Sequence, residues 1–188
     1  MTRHPLEEKY GLTAHELLEA LDKRFRAKVT LEGAVAEVHM EKKIKELVGS
    51  LVARYEVHDI DGQPDFSIWL SSTPKPILVE CKNVRDTEEA YRKGGQVVAY
   101  KAETQKTRAA TGDRTSRYYG INQFDLLGVC IGKKTGRWSD FVFVRVADLE
   151  RHSSHPQKLA LMQRVPLPGI ADPSPWSFAL ADVLRRFA

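Results

Sequence analysis

The chain has 188 residues, 42% of them hydrophobic and 29% charged, with a formal net charge of +4 and a pI near 9.0. This length supports one substantial core but is short for two full domains, so we expect a single domain over residues 1–188. The mild basic excess permits a polyanionic partner without requiring one, and no apolar run approaches the roughly 20 residues that a membrane-spanning helix needs.

Both cysteines, Cys81 and Cys130, lie inside apolar runs. This setting favours buried, reduced thiols over a disulfide framework or a metal cluster. Residues 1–10 are polar and charged and do not resemble a secretion signal. We therefore expect a cytoplasmic protein that does not bind a membrane.

Two helices are predicted at the start of the chain. Thr13 and Glu16 have the spacing of a capping box, and the apolar periodicity behind them predicts a helix over about residues 14–27. The apolar stripe that follows Gly33 predicts a second helix over residues 34–51. Both helices carry enough apolar surface to pack against a sheet.

The middle of the chain changes to the period of a β-strand. Residues 55–60, 65–70 and 77–82 are rich in β-branched and aromatic side chains and are separated by turn-forming residues. We expect them to form three consecutive antiparallel strands. Asp86, with Glu89 three residues later, predicts the start of a helix that runs to about residue 100.

Residues 124–131 and 141–146 are continuous apolar runs, which are typical of strands that are covered on both faces. Pro175 is predicted to stand at the first position of a short final helix. This order of elements predicts an α/β fold with a central mixed β-sheet flanked by helices. We expect the domain to consist of an N-terminal helical extension over about residues 1–30, a core over about residues 31–147 and a C-terminal extension over residues 148–188.

The residues that could carry chemistry lie on the second and third of these strands. Glu80 and Lys82 alternate with apolar residues at the end of a strand, so their side chains share one face. Antiparallel pairing brings Asp65, at the start of the preceding strand, to the same end. Two carboxylates and an ammonium then converge, and Mg²⁺ prefers such hard oxygen ligands with room for water and phosphate. The pattern predicts metal-assisted hydrolysis of a phosphodiester.

Pro64-Asp65 followed by Glu80-Cys81-Lys82 closely resembles the signature of the PD-(D/E)xK nucleases, which include restriction endonucleases and many repair nucleases. The predicted order of elements also resembles the core of that family over about residues 33–146. The resemblance implies a restriction-endonuclease-like core in which Asp65, Glu80 and the main-chain carbonyl of Cys81 bind the metal. It implies that Lys82 is the catalytic lysine and that Mg²⁺ is the cofactor, for which we expect Mn²⁺ to substitute.

Members of this family often carry a further acidic residue on the helix before the meander. Glu37 fits that place and is our fourth candidate catalytic residue, while Glu41, one turn later, competes for the role. The alternative is that Glu37 is an exposed helix glutamate with no role in catalysis. Gln96 and Tyr100 resemble the Gln-x-x-x-Tyr element that some recombination-type nucleases place on a helix.

Residues 101–119 combine spaced cations with aromatic side chains, which predicts a loop that contacts DNA. Lysine and arginine neutralise phosphates, and arginine can also read guanine edges in the major groove. A solvated basic loop is the alternative. The candidate DNA-binding residues are Lys106, Arg108, Arg114, Arg117 and Tyr118.

Together these patterns predict a Mg²⁺-dependent endonuclease of restriction type that cuts double-stranded DNA. We expect a homodimer, because two active sites are needed to cut both strands. No Gly-rich phosphate loop occurs in the sequence, so no nucleotide cofactor is expected. Two alternatives stay open: a structure-selective or single-strand nuclease of repair or recombination, and a non-catalytic DNA-binding module with the same fold.

Overall fold

A computed structural model describes residues 3–60, 62–86, 88–106 and 112–188, and of Arg114 it describes the main chain alone. The chain forms two compact units, Met1–Val35 and Ala36–Ala188. Within the described ranges, no helix is both long enough and apolar enough to cross a membrane.

Three helices precede the first strand: α1 (Pro5–Tyr10), α2 (Ala14–Asp22) and α3 (Phe25–Lys45). The predicted capping box starts α2, since Thr13 Oγ1 accepts from the amide of Glu16 at 3.2 Å and Glu16 accepts from the amide of Thr13 at 2.8 Å. The predicted start of the first helix is confirmed, but its end is wrong because α2 stops at Asp22, and the bounds of the second helix are wrong because α3 runs straight through Gly33. A single glycine costs a helix only about 1 kcal/mol, so its neighbours keep the segment helical.

The central sheet has five strands in the order β1-β2-β3-β6-β7. Its first three strands form the predicted antiparallel meander, β6 runs parallel to β3, and β7 is antiparallel to β6. The prediction of a mixed sheet is confirmed. The strand bounds are β1 (Val52–Val57), β2 (Phe66–Leu70), β3 (Ile77–Asn83), β6 (Leu126–Cys130) and β7 (Phe141–Arg145).

The helix predicted over residues 86–100 is wrong, because this part of the chain forms a hairpin of β4 (Ala90–Lys93) and β5 (Gln96–Glu103). Gly94 and Gly95 connect the strands with φ values of 58° and 82°, a left-handed backbone that glycine adopts without strain. Gln96 and Tyr100 therefore lie on a strand and not on a helix. A third strand, β10 (Met162–Val165), pairs with β5.

The remaining elements are short. Helix α4 (Gly132–Thr135) lies between β6 and β7, and β8 (Arg151–His152) pairs with β9 (His155–Leu159). The final helix α5 (Leu180–Leu184) begins five residues later than Pro175. The helix does not begin earlier because the main chain of Ser177 is bridged to β7: it exchanges two hydrogen bonds with Phe143, at 2.7 and 2.9 Å.

In the part of the chain that the structure describes, α3 and α5 pack on one face of the central sheet, and the buried cluster on the other face contains no residue of an α-helix. Helices therefore flank the sheet on one face. On the helical face, Met40 of α3 and Leu184 of α5 pack against apolar side chains that include Phe143 of β7. Gly128 of β6 lies under α3, and a Cβ there would stand 2.0 Å from Met40 Cε. Strands and loops cover the opposite face, with buried side chains that include Ala102, Tyr119, Phe124, Leu159, Val165 and Trp176.

Candidate active site

Strand pairing brings Asp65 to Glu80. Phe66 pairs with Val79, so Asp65, one residue before β2, stands opposite Glu80 on β3. Asp65 Oδ2 accepts a hydrogen bond from the amide of Cys81 at 2.6 Å. This bond holds the Asp65 carboxylate against the main chain between Glu80 and Lys82, as antiparallel pairing predicted.

Alternation along β3 places the odd-numbered core residues on one face of the sheet and the charged residues of the site on the other. Ile77, Val79 and Cys81 belong to the cluster under α3 and α5, whereas Leu78 and Val84 belong to the cluster on the opposite face. Glu80 and Lys82 are the even-numbered residues between Leu78 and Val84, so their side chains point to the same face of the sheet as those two residues. Burial raises the pKa of the Cys81 thiol well above its usual value, so this side chain stays a neutral core residue and only its main chain faces the site.

Glu80 is a buried carboxylate, with only 5% of its surface exposed. Its Oε1 accepts hydrogen bonds from Lys82 Nζ and from Tyr119 Oη, each at 2.5 Å. Burying a charge is unfavourable unless opposite charge and hydrogen bonds compensate it. Lys82 and Tyr119 supply both kinds of compensation.

Tyr119 is the residue of the site that sequence reasoning missed. The ring is buried, meets Phe124 edge-on at 5.2 Å, and lies 5.5 Å from Lys82 Nζ. Burial raises the pKa of its hydroxyl, so the group stays protonated and donates to Glu80. Its neighbour Tyr118, a predicted DNA-binding residue, stacks on His152 with ring centroids 4.7 Å apart.

The pKa values of Asp65 and Lys82 are both raised, in a way that suits a cation site. Burial and then the charge of Glu80 raise the pKa of Asp65 to about 7, against the opposing effects of Lys82 and the Cys81 amide. Burial alone would lower the pKa of Lys82, but the charge of Glu80 holds that pKa above its usual range. Lys82 is therefore a permanent ammonium, while an added cation would favour ionised Asp65.

Of the two competing glutamates on α3, Glu37 is the one whose carboxyl group is influenced by the charges of Lys82 and Glu80, and its catalytic role stays a prediction. Burial raises the pKa of its carboxyl group, and the charges of Lys82, Asp59 and Glu80 also act on it. Glu41 is engaged elsewhere, because its Oε1 accepts from Tyr55 Oη at 2.8 Å and pairs with Lys45 Nζ at 2.9 Å.

The predicted DNA-contacting stretch is described only in part. Lys106 and Arg117 face each other: the Lys106 amide donates to the Arg117 carbonyl at 2.8 Å, and Arg117 Nε donates to the Lys106 carbonyl at 3.1 Å. Arg108 lies outside the described residues, as does the side chain of Arg114. The DNA-binding roles of all these residues, and of Tyr118, stay predictions.

Comparison with known proteins gave no family: no family model, no curated protein and no solved structure matches this chain. In the parts of the chain that the structure describes, no group of three or more histidine, cysteine, aspartate or glutamate side chains is arranged to hold a metal ion. The ligand set implied by the sequence motif contains two carboxylates and one main-chain carbonyl. Two protein carboxylates are sufficient for Mg²⁺, which keeps several of its waters.

We expect Asp65→Asn to stabilise the protein at high pH. The folded state keeps a proton on Asp65 up to a pKa of about 7, whereas the unfolded chain loses it near the usual value of 3.8. The stability of the unsubstituted protein therefore falls as the pH rises between these values, and asparagine does not titrate. In urea unfolding with EDTA, the variant should gain about 2.5 kcal/mol relative to the parent between pH 5 and pH 8. A gain that is the same at both pH values would contradict this.

Tyr119→Phe should lower the free energy of unfolding while leaving Lys82 paired with Glu80. The substitution deletes the hydroxyl that donates to Glu80 Oε1 and leaves Lys82 as the remaining donor to that atom. Because the acceptor is a buried carboxylate, we expect a loss of about 1.5–3 kcal/mol in the free energy of unfolding. Urea titration measures this loss, and Tyr10→Phe, at an exposed tyrosine, is the matched control. Equal stability of the two variants would show that the Tyr119 hydrogen bond contributes nothing.

Proposed function

We propose that this protein is a Mg²⁺-dependent endonuclease that hydrolyses the DNA backbone. The observation that carries the proposal is the convergence of Asp65, Glu80 and Lys82 on one face at the end of β3, with Asp65 bonded to the amide between the other two. The arrangement of α3, the β1–β3 meander and a parallel β6 also supports a restriction-endonuclease-like core. The β4–β5 hairpin in place of a second helix is this chain's departure from that pattern.

The donor set fits a hard divalent cation. Asp65 and Glu80 would hold Mg²⁺, with the main-chain carbonyl of Cys81 as a further ligand, and Mn²⁺ would substitute because it accepts the same oxygen ligands. When bound, the ion supplies Lewis acidity to the phosphate and lowers the pKa of a coordinated water. The raised pKa of Asp65 supports this assignment, because the single Lys82 ammonium does not compensate both buried carboxylates and a bound cation would.

Lys82, Glu37 and Tyr119 have different roles in the proposed reaction. Lys82 keeps its proton on Nζ and is suited to stabilise the negative charge that develops on the phosphate oxygens, which favours this role over that of a base. Glu37 is the carboxyl group that we assign to accept a proton from the attacking water, because burial raises its pKa and so makes it a stronger base. Tyr119 orients Glu80 by its hydrogen bond.

We further propose that the substrate is double-stranded DNA, cut at a defined sequence by a cytoplasmic homodimer. Two copies provide one active site for each strand. Lys106 and Arg117 border the basic segment that we expect to contact phosphates, together with Arg108, Arg114 and Tyr118.

The test is a panel of substrates in Mg²⁺: duplexes of varied sequence, single strands and branched junctions, each labelled at one end. We expect discrete fragments from duplex DNA alone. Cuts confined to single strands or junctions would instead assign the protein to the structure-selective nucleases. Tight binding of duplex DNA with no cut on any substrate would favour the non-catalytic DNA-binding module.

A further inference from the structure

The unit Met1–Val35 is helical but has no interior. None of its described residues, 3–35, is buried, although α1, α2 and the first half of α3 lie within it. Helices of six and nine residues are too short to be stable alone in water, since isolated helices of fewer than about 12–15 residues are marginal. The unit therefore needs a surface to pack against.

Its apolar side chains are available for that packing. Leu18 is 59% exposed and Phe25 is 74% exposed. The internal contacts that shape the unit are polar: Glu7 Oε1 accepts from the Ala14 amide at 2.8 Å, and Lys28 Nζ pairs with Asp22 at 2.7 Å. Further exposed apolar side chains of the unit are Leu6, Tyr10, Leu12 and Val29. Six exposed large apolar side chains in a unit of 35 residues favour an interaction surface.

The charges of the unit indicate its partner. Residues 3–22 carry five acidic and two basic side chains, whereas residues 23–35 carry one acidic and four basic ones. The unit as a whole is neutral, which disfavours DNA or an anionic membrane as the partner. A two-fold contact instead places the acidic half of one copy against the basic half of the other.

We propose that Met1–Val35 is the dimerisation element of this protein and that its partner is the same unit of a second copy. The acidic α1–α2 half pairs with the basic start of the partner's α3, and Leu18 and Phe25 fill the centre of the contact. A typical stable interface takes about 20 to 30 residues from each side, which the described residues 3–35 can supply. The proposal does not depend on nuclease activity, because dimerisation is measurable without DNA or metal.

Sedimentation equilibrium of the full chain tests the proposal. We expect a dimer for the unsubstituted protein and a dissociation constant at least about 100-fold higher for Leu18→Asp/Phe25→Asp, since two central apolar anchors are lost. Ile170→Asp, at a residue that is 46% exposed outside this unit, is the matched control and should stay dimeric. A monomeric parent protein, or equal weakening by the control, would overturn the proposal.

Charge reversal tests the two-fold pairing even if apolar substitution also disturbs the helices. Glu8→Lys/Glu19→Lys reverses the acidic half, and Arg24→Glu/Arg26→Glu reverses the basic half. Each variant alone should dimerise more weakly, because like charges then face each other. A mixture of the two should recover the affinity of the parent protein, since opposite charges meet again in the heterodimer. Failure of the mixture to recover would exclude this pairing.

Discussion

Glu80→Gln should reduce the rate of DNA cleavage by about 10³-fold or more. The substitution keeps the shape of the side chain but removes one of the two proposed charged metal ligands. It also removes the charge that holds Lys82 beside β3, at 2.5 Å from Glu80 Oε1. Single-turnover cleavage of an end-labelled duplex in Mg²⁺ measures the effect.

Glu46→Gln is the matched control, because Glu46 is an exposed glutamate in the turn that directly follows α3. It should cut at the parent rate. Circular dichroism of both variants establishes that they are folded. Cleavage by folded Glu80→Gln at more than about a tenth of the parent rate would exclude Glu80 as a metal ligand of this reaction.

The largest effect on stability is expected at Phe143. Its side chain is fully buried on the helical face of the sheet and stacks on Phe141, with ring centroids 5.8 Å apart. It also borders Gly128, where a Cβ would stand 3.3 Å from the Phe143 ring. Phe143→Ala therefore leaves a cavity under α3 and should cost about 3–5 kcal/mol.

This loss is a large part of the roughly 5–15 kcal/mol by which domains of this kind are stable. Urea unfolding measures it, with Phe178→Ala as the control at a phenylalanine that is 37% exposed. The control should lose less than about 1 kcal/mol. Similar losses for the two variants would show that the helical face of the sheet is not the main core.

Local patterns were sufficient to predict the centre of the fold and the candidate site. The alternation of apolar and polar residues along β2 and β3 fixes which side chains share a face, and the short connection between them leaves antiparallel pairing as the simple option. Asp65, Glu80 and Lys82 could therefore be brought together without coordinates. Glu37 was proposed from the family resemblance, and the contacts of Glu41 with Tyr55 and Lys45 are what distinguish the two glutamates.

Capping signals misled the prediction between β3 and β6. Asp86 and Glu89 have the spacing of a helix start, but the structure uses them in ion pairs, Asp86 with Lys133 at 3.0 Å and Glu89 with Arg85 at 2.8 Å. Gly94-Gly95, flanked by residues that favour strands, was the stronger signal and indicated a hairpin turn.

Tyr119 was missed for a different reason. It lies 39 residues from Glu80 in sequence, and the contact depends on the loop that returns the chain from β5 to β6. No local period encodes such a contact. The available signal was the pair Tyr118-Tyr119. Adjacent residues of an extended segment face opposite sides, so one of the two rings is expected to face the core.

Incubation of the purified protein with supercoiled and linear DNA, in Mg²⁺ or in EDTA and alongside Lys82→Ala, tests the central claim most directly. A nuclease that acts through Asp65, Glu80 and Lys82 gives discrete products in Mg²⁺, none in EDTA, and none from folded Lys82→Ala. Complete inertness of the parent protein on all DNA substrates, or cleavage by Lys82→Ala at the parent rate, would contradict it.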